Sequence, residues 1–296
     1  MKNKPLVSII MNCHNGEKFL KESIQSIISQ KYKKWELIFW DNKSTDESAK
    51  ILKSFKDKRI RYFKSKKKTV LYQARNLALK KTKGKFIAFL DTDDIWCKDK
   101  LSLQIPKFKN NSIGLVYSNF FKLNYNGKKK LAFKNKLPSG RVTSLIIKNY
   151  QVGILTVILR KKFLKNKKLF DFKFDLIADF EFILNFSKKY NFASIEKPLA
   201  CYRIHENQLQ KVKMISQAKQ FCLWFKQKNI EEKFKNYDLT QIKKKYEYYD
   251  IIRNIERSKI KTLMKLYYKF SIKNFLKVIS FLIIPKKILF RFMEYV

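Results

Sequence analysis

The chain is poor in the residues that build unusual architectures. Its 296 residues include only 6 Gly and 5 Pro, which excludes collagen-like and linker-rich designs. Four cysteines, at positions 13, 97, 201 and 222, stand far apart, with no C-x-x-C pair and no histidine at zinc-finger spacing. They read as reduced core thiols. No G-x-G-x-x-G turn and no P-loop occurs, so nucleotide-dependent dehydrogenase and kinase chemistry lack a motif. Only 2 His are present, and neither completes a Ser–His–Asp or Cys–His set. The opening stretch Met1–Val7 carries two lysines but passes directly into a short strand-like run and polar residues, the pattern of a chain without a signal peptide. The catalytic part is therefore expected in the cytoplasm.

Acidic residues are also scarce: 24 against 67 basic ones, a net charge of +43. Such an excess calls for an anionic partner, and nucleic acid, anionic lipid and phosphorylated substrates are the candidates. Fifty-eight of the basic residues are Lys and nine are Arg, whereas readers of phosphates and bases favour the planar fork of Arg. A Lys-, Asn-, Ile- and Phe-heavy chain also fits an A/T-rich genome. With 45% hydrophobic and 15% aromatic residues the chain can bury a substantial core. Its length suits one large α/β domain, or such a domain with an appendage.

The first half alternates strand and helix patterns. Leu6–Met11, Glu36–Trp40, Arg59–Phe63 and Lys85–Leu90 read as strands. Between them, Glu17–Gln30 and Val70–Lys81 have helical spacing, and Ser44 with Glu47 has the S-x-x-E spacing of a capping box opening a helix to about Phe55. Gly84 is read as an αL helix stop. Units of this kind imply a largely parallel sheet that binds ligands outside the carboxyl ends of its strands. Asp41 and the Asp91 cluster sit at such ends. Further on, Gly114–Leu123 and Gly153–Leu159 read as strands and Ala178–Lys188 as a helix. No Gly follows Gly153, and a boundary near position 208 divides residues 1–208 from a basic helical region, 209–296.

Asp91, Asp93 and Asp94 place three carboxylates within four residues directly after an apolar strand. Their mutual repulsion is relieved by a hard cation or by several N–H donors, and Mg²⁺ or Mn²⁺ shared with substrate phosphates fits such a cluster. A solvated turn with a capping Asp is the plainer alternative. The order and spacing of Val7–Leu20, Trp35–Asp46, Ala74–Asn76 and Phe89–Asp94, then of Ala178–Phe182 and Tyr202–Asn207, resemble the family 2 inverting glycosyltransferases over roughly residues 5–208.

The resemblance implies a GT-A fold, a mostly parallel mixed sheet flanked by helices with a helical C-terminal extension. It implies a nucleoside-diphosphate-sugar donor, UDP- or dTDP-linked, held by the region Asn12, His14 and Asn15, by Asp41 and Arg75, and by Asp91 and Asp94. It implies a divalent metal on Asp91 and Asp93, with Arg203 and His205 on the phosphate side. Asp179 matches the catalytic base that deprotonates the acceptor, with Glu181 as competitor on another helix face. The acceptor would be a saccharide or a lipid-linked sugar in surface polysaccharide or glycolipid assembly. Many relatives in that family have Glu or Gly where Ala178 stands. Trp96 is either a sugar-stacking platform or a buried anchor. A non-catalytic sugar-nucleotide binder is one alternative. A nucleic-acid-binding protein is another, but no nucleic-acid partner is expected, because the acidic cluster would repel a polyanion.

The tail adds a further expectation. Lys261, Lys265, Lys269, Lys273 and Lys277 recur every four residues, opposite Ile260, Leu263, Met264, Tyr267 and Phe270. This basic amphipathic pattern suits a peripheral position on an anionic membrane surface, or else a helix packed on the catalytic domain. The apolar stretch Phe275–Ile284, interrupted by Lys277, is too short to span a bilayer.

Overall fold

A computed structural model describes residues 4–164, 169–205 and 214–254. The tail pattern at 259–296 lies outside the described residues, as do Glu206 and Asn207. The chain forms two units, one of residues 1–146 with 150–203 and one of residues 147–149 with 204–296.

The first unit opens with β1 (Val7–Cys13), α1 (Glu17–Ile28), β2 (Trp35–Asp41), α2 (Ser48–Ser54), β3 (Ile60–Lys64), α3 (Leu71–Leu79) and β4 (Phe86–Phe89). It continues with β5 (Ile95–Trp96), α4 (Lys100–Gln104), β6 (Ile113–Leu123), β7 (Lys129–Leu131), α5 (Thr143–Lys148), β8 (Ile158–Arg160), α6 (Ala178–Ser187) and β9 (Asn191–Arg203). Among the described residues one sheet runs in the order β3-β2-β1-β4-β8-β6-β9-β5, with β7 pairing β6. The strands β1 to β4 are parallel, β8 is antiparallel to both β4 and β6, and β9 is parallel to β6. All the long strands therefore end at one rim.

Burial explains the sheet. Every residue of β1 and β2 is buried, as expected of strands covered on both faces. Val7, Ile9, Met11 and Cys13 pack with Leu20, Ile24 and Ile27 of α1. The other face carries α3. There Phe170 lies 4.7 Å from the Tyr72 ring and 5.7 Å from Phe89, and Phe182 of α6 packs on Phe170 at 5.5 Å. These rings join α3, β4 and α6 into one block.

Several local expectations are corrected. Gly84 is not a left-handed helix stop, since α3 ends at Leu79 with Lys80 in a right-handed conformation. Gly84 is small because a Cβ there would meet the Ser8 backbone nitrogen at 2.6 Å. The Ser44–Glu47 capping box does not form: α2 begins at Ser48 without a side-chain cap, and the Ser44 hydroxyl instead accepts the Asn15 N–H at 3.2 Å. Residues Ile154–Thr156 form a 3₁₀ turn, so only Ile158–Arg160 is strand there. Trp96 is the buried anchor of the two alternatives, 2% exposed, with its indole N–H donating to the Leu155 carbonyl at 2.8 Å.

The second unit contains α7 (Met214–Gln227), α8 (Ile230–Lys233) and α9 (Thr240–Ile252). Phe221 packs edge-on to Tyr249 at 5.2 Å and Phe225 stacks on Tyr246 at 4.5 Å, which pairs α7 with α9. Among the described residues no helix is long and apolar enough to cross a membrane.

At the amino end of the first unit's sheet, Glu36 is 6% exposed and accepts bonds from Ser8 Oγ (2.6 Å), the Lys83 N–H (2.6 Å) and Arg61 (2.6 Å). Burial pushes its pKa up, but these bonds outweigh burial and hold the carboxyl below its ordinary value. A depressed folded pKa gives stability that is complete above the unfolded value and is lost as pH falls through the folded one. Glu36→Gln is expected to lower urea-unfolding stability by about 2 kcal/mol at pH 7. The gap between the two proteins should narrow below about pH 4.

Candidate active site

The rim collects the turns after β1, β2 and β4. The first two are laced together: the Asn42 N–H donates to the Cys13 carbonyl (2.7 Å), Gly16 N–H to Ser48 Oγ (3.0 Å) and Thr45 N–H to Asn15 Oδ1 (2.9 Å). Asn15 adopts the left-handed conformation at φ 55°, which Asn tolerates, and Gly16 sits where a Cβ would lie 2.9 Å from Thr92 Oγ1. Close approach of three turns therefore demands this Asn-Gly step.

Asp41 is buried, with the Tyr62 hydroxyl donating to one carboxylate oxygen (2.7 Å) and the Ser44 N–H to the other (2.7 Å). Its main task in this structure is to hold the turn. Asn12, 7% exposed, is its opposite: neither amide atom has a hydrogen-bond partner. A buried amide without partners is costly, and such groups mark places that a ligand or water completes. His14 is exposed and contacts Lys68 Nζ through Nε2 at 2.6 Å.

The acidic turn is gripped from two sides. The Ser23 hydroxyl of α1 lies 2.7 Å from the carbonyl oxygens of both Thr92 and Asp94. Asp94, 2% exposed, accepts the Arg203 N–H at 3.0 Å, and Arg203 Nε donates to the Asp93 carbonyl at 2.9 Å. The Arg203 guanidinium also pairs with Glu22, so it acts as a staple between β9, α1 and the turn. Burial, then the charges of Asp93 and Asp91, push the Asp94 carboxyl well above its ordinary value. His205 belongs to the second unit.

Arg75 joins the remaining acids. It is 2% exposed on α3, its Nη2 lies 2.5 Å from Asp91 Oδ1, and its guanidinium rests over the Tyr72 ring at 4.6 Å. Asp91 keeps 31% of its side chain exposed. Asp179, the second residue of α6, accepts its neighbour Phe180's N–H at 2.8 Å and is hydrogen-bonded by the Tyr72 side chain. Asp179 is half-buried, whereas Glu181 is buried at 6% exposed. Burial pushes the Asp179 pKa up; the Phe180 N–H, Arg75 and Tyr72 pull against it without cancelling it.

Three residues without an assigned role in the sequence make this geometry. Asn76 accepts the N–H groups of Leu169 (2.9 Å) and Phe170 (3.0 Å) and donates to the Phe170 carbonyl (2.7 Å), clamping that segment onto α3. Asp175 accepts the Tyr72 N–H at 2.9 Å and so caps a helix that has no local cap. Tyr72 lies beneath Arg75 and against Asp179. The only sequence signal was helical spacing, since Tyr72, Arg75 and Asn76 fall on one face at i, i+3 and i+4.

Asp91 and Asp93 are partly exposed at the mouth, with the spacing and oxygen chemistry that a hard divalent cation accepts. Among the described residues no three His, Cys, Asp or Glu side chains converge into a metal cage. The residues present therefore fit a cation that takes one or two carboxylates and completes its shell from a ligand and water.

Residues 8–172 match the family described as glycosyl transferase family 2. The chain is 34% identical over 206 residues to the UDP-Glc:alpha-D-GlcNAc-diphosphoundecaprenol beta-1,3-glucosyltransferase WfgD of Escherichia coli, covering 69% of this chain and 79% of that one. Its fold is similar to S. aureus TarS 1-349 in complex with UDP-GlcNAc (TM-score 0.58, 18% identity, 90% and 76% coverage). It is also similar to the mannosyltransferase PcManGT of Pyrobaculum calidifontis in complex with GDP-Man and Mn2+ (TM-score 0.58, 13% identity, 99% and 85% coverage).

The buried guanidinium generates a prediction. In Arg75→Leu, Asp91 and Asp179 lose their shared counter-charge, so stability should fall by about 3 kcal/mol at pH 8. With Asp179 raised still further in the folded state, stability is retained below the unfolded carboxyl value and lost as pH rises. Urea unfolding should therefore show a smaller deficit at pH 5 than at pH 8.

Proposed function

The chain belongs to glycosyl transferase family 2 and is a glycosyltransferase, and on that premise we propose that it transfers a sugar with inversion from a nucleoside diphosphate to a lipid-linked saccharide. The observation that carries this reading is the buried Arg75, which pairs with Asp91 and also acts on Asp179. Through it, a carboxylate suited to a cation and a carboxylate suited to a proton answer to one guanidinium.

The donor enters at the rim. Asn12 supplies an amide whose donor and acceptor atoms both lack partners, which suits the edge of a nucleotide base, and Asp41 shapes the turn beside it. Asp91 and Asp93 are the residues that would hold Mg²⁺ or Mn²⁺, which when bound neutralises a diphosphate and assists its departure. Asp94 and Arg203 fix the backbone of that turn; their positions support a scaffold role rather than direct contact with phosphate.

Asp179 takes the proton of the acceptor hydroxyl. Inversion requires attack on the anomeric carbon from the face opposite the departing diphosphate, with a base on the acceptor side. Burial raises the Asp179 carboxyl toward the range useful for a base, and Tyr72 fixes its orientation. The lipid-linked acceptor is supported by the likeness to WfgD, whose name specifies a diphosphoundecaprenol-linked sugar. That setting, surface glycan assembly, also fits a cytoplasmic enzyme that works at the membrane face.

Release of nucleoside diphosphate from a donor panel, with and without EDTA, tests the reading, and no turnover with any donor plus a lipid-linked acceptor would refute it. Asp179→Asn is expected to lower the transfer rate by about 10²–10⁴-fold while donor affinity stays within about threefold. Asp93→Ala should instead weaken metal-dependent donor binding. Because the Asp179 carboxyl is raised, kcat/KM should climb with pH through an apparent pKa above the ordinary Asp value of about 3.9. A pH-rate profile checks this.

A further inference from the structure

Among the described residues of the first unit, five bulky apolar side chains are exposed, and three of them, Val70 at 44%, Tyr125 at 69% and Leu131 at 38%, lie at the carboxyl rim. The topology explains why. Since β8 is antiparallel to both β4 and β6, β6 runs in the direction of β1 to β4, and with Ile158 facing both Ala88 and Val116 it continues past the end of β4. Leu123, its last residue, pairs with Arg203, whose N–H holds Asp94. The β6–β7 hairpin therefore projects from the edge that bears the acidic turn.

The hairpin tip is tightly made. The Asn124 N–H donates to the Lys128 carbonyl (3.0 Å), Lys128 N–H returns to Asn124 Oδ1 (2.8 Å), and Gly127 takes φ +77°. This turn presents Tyr125 to solvent, with exposed Lys122, Lys128 and Lys129 around it and no acidic residue from 122 to 136. At the β3 end of the rim, Lys66, Lys67 and Lys68 are exposed beside Val70.

We propose that this rim, led by the β6–β7 hairpin, docks on an anionic lipid bilayer. The composition selects that occupant. A phenol tip and separate aliphatic side chains ringed by lysines match the headgroup boundary, where Tyr straddles the interface and each Lys stem lies on apolar surface with its ammonium among phosphates. A nucleic acid would bring its polyanion against Asp91 and Asp93 and offer nothing to Val70 and Leu131. Docked this way, the mouth of the site faces the bilayer from which a lipid-linked diphosphate presents its sugar. The inference deepens the acceptor reading and rests on it for the benefit of docking, though not for the docking itself.

Co-sedimentation of the full chain with vesicles of phosphatidylcholine, with and without 30% phosphatidylglycerol, tests it at low salt. The wild type is expected to partition onto the anionic vesicles only. Tyr125→Ser combined with Lys122→Glu and Lys128→Glu should reduce that partitioning by at least about tenfold. Transfer to a short water-soluble acceptor should be unchanged, which also confirms that the variant is folded and separates this test from that of the activity. As a second measurement, Tyr125→Trp places a reporter where the native Trp residues are 8% exposed or less. Its emission should shift to the blue and resist acrylamide on anionic vesicles. Unchanged sedimentation of the triple variant, an introduced indole that stays open to acrylamide, or binding to oligonucleotides in place of vesicles would overturn the proposal.

Discussion

A fully buried guanidinium is tolerable only when its charge is answered, and Arg75 is answered by Asp91 directly and by Asp179 at longer range. The dependence runs both ways. Without Arg75 the two carboxylates would repel each other across a poorly hydrated space, and without them the arginine would be an unpaired buried charge. Tyr72 completes the arrangement by presenting its ring to the cation and its hydroxyl to Asp179. One helix face thus positions groups that belong to different parts of the chain.

Arginine and lysine divide the work of the +43 charge. Arg59, Arg61, Arg75 and Arg203 each pair with a carboxylate, and the buried Arg160 donates to the carbonyls of Phe108 and Ile113. These planar forks hold elements together. Lysines dominate the surface, but among the described residues one exception is instructive: Lys100 is fully buried, bonded to Gln104 and the Thr156 carbonyl and lying 4.4 Å from the Trp96 ring. Burial pushes its pKa well down from the ordinary lysine value.

The alternation of strand and helix was legible in the first ninety residues because both periodicities are strong there, and the acids at strand ends follow from that topology. The glycosyltransferase family was legible through the resemblance of the quoted motifs to family 2, and the GT-A fold through what that resemblance implies. Other features were not, for identifiable reasons. Ser44 and Glu47 have capping spacing, but the neighbouring turn recruits Ser44 first. Gly84 resembles a helix stop, yet the constraint on it comes from Ser8, far away in sequence. Arg203 matches a family position, but its pairing with Glu22 on α1 carries no local signal, since the two are 181 residues apart. What Asn76 and Asp175 hold carries no local signal, since each acts on a partner roughly a hundred residues distant.

That last separation bears on the order of assembly. Arg75 meets Asp91 across only 16 residues, whereas Asp175 reaches Tyr72 across 103 and Asn76 reaches Phe170 across 94. Contacts between close neighbours in sequence form early, and domains emerging from the ribosome fold from the amino end. The half that would hold a nucleotide can thus mature during synthesis while the half that would handle the acceptor is still untranslated. A nascent chain in that interval would hold the proposed cation carboxylates without Asp179, the proposed base, and without Arg203, which grips their turn.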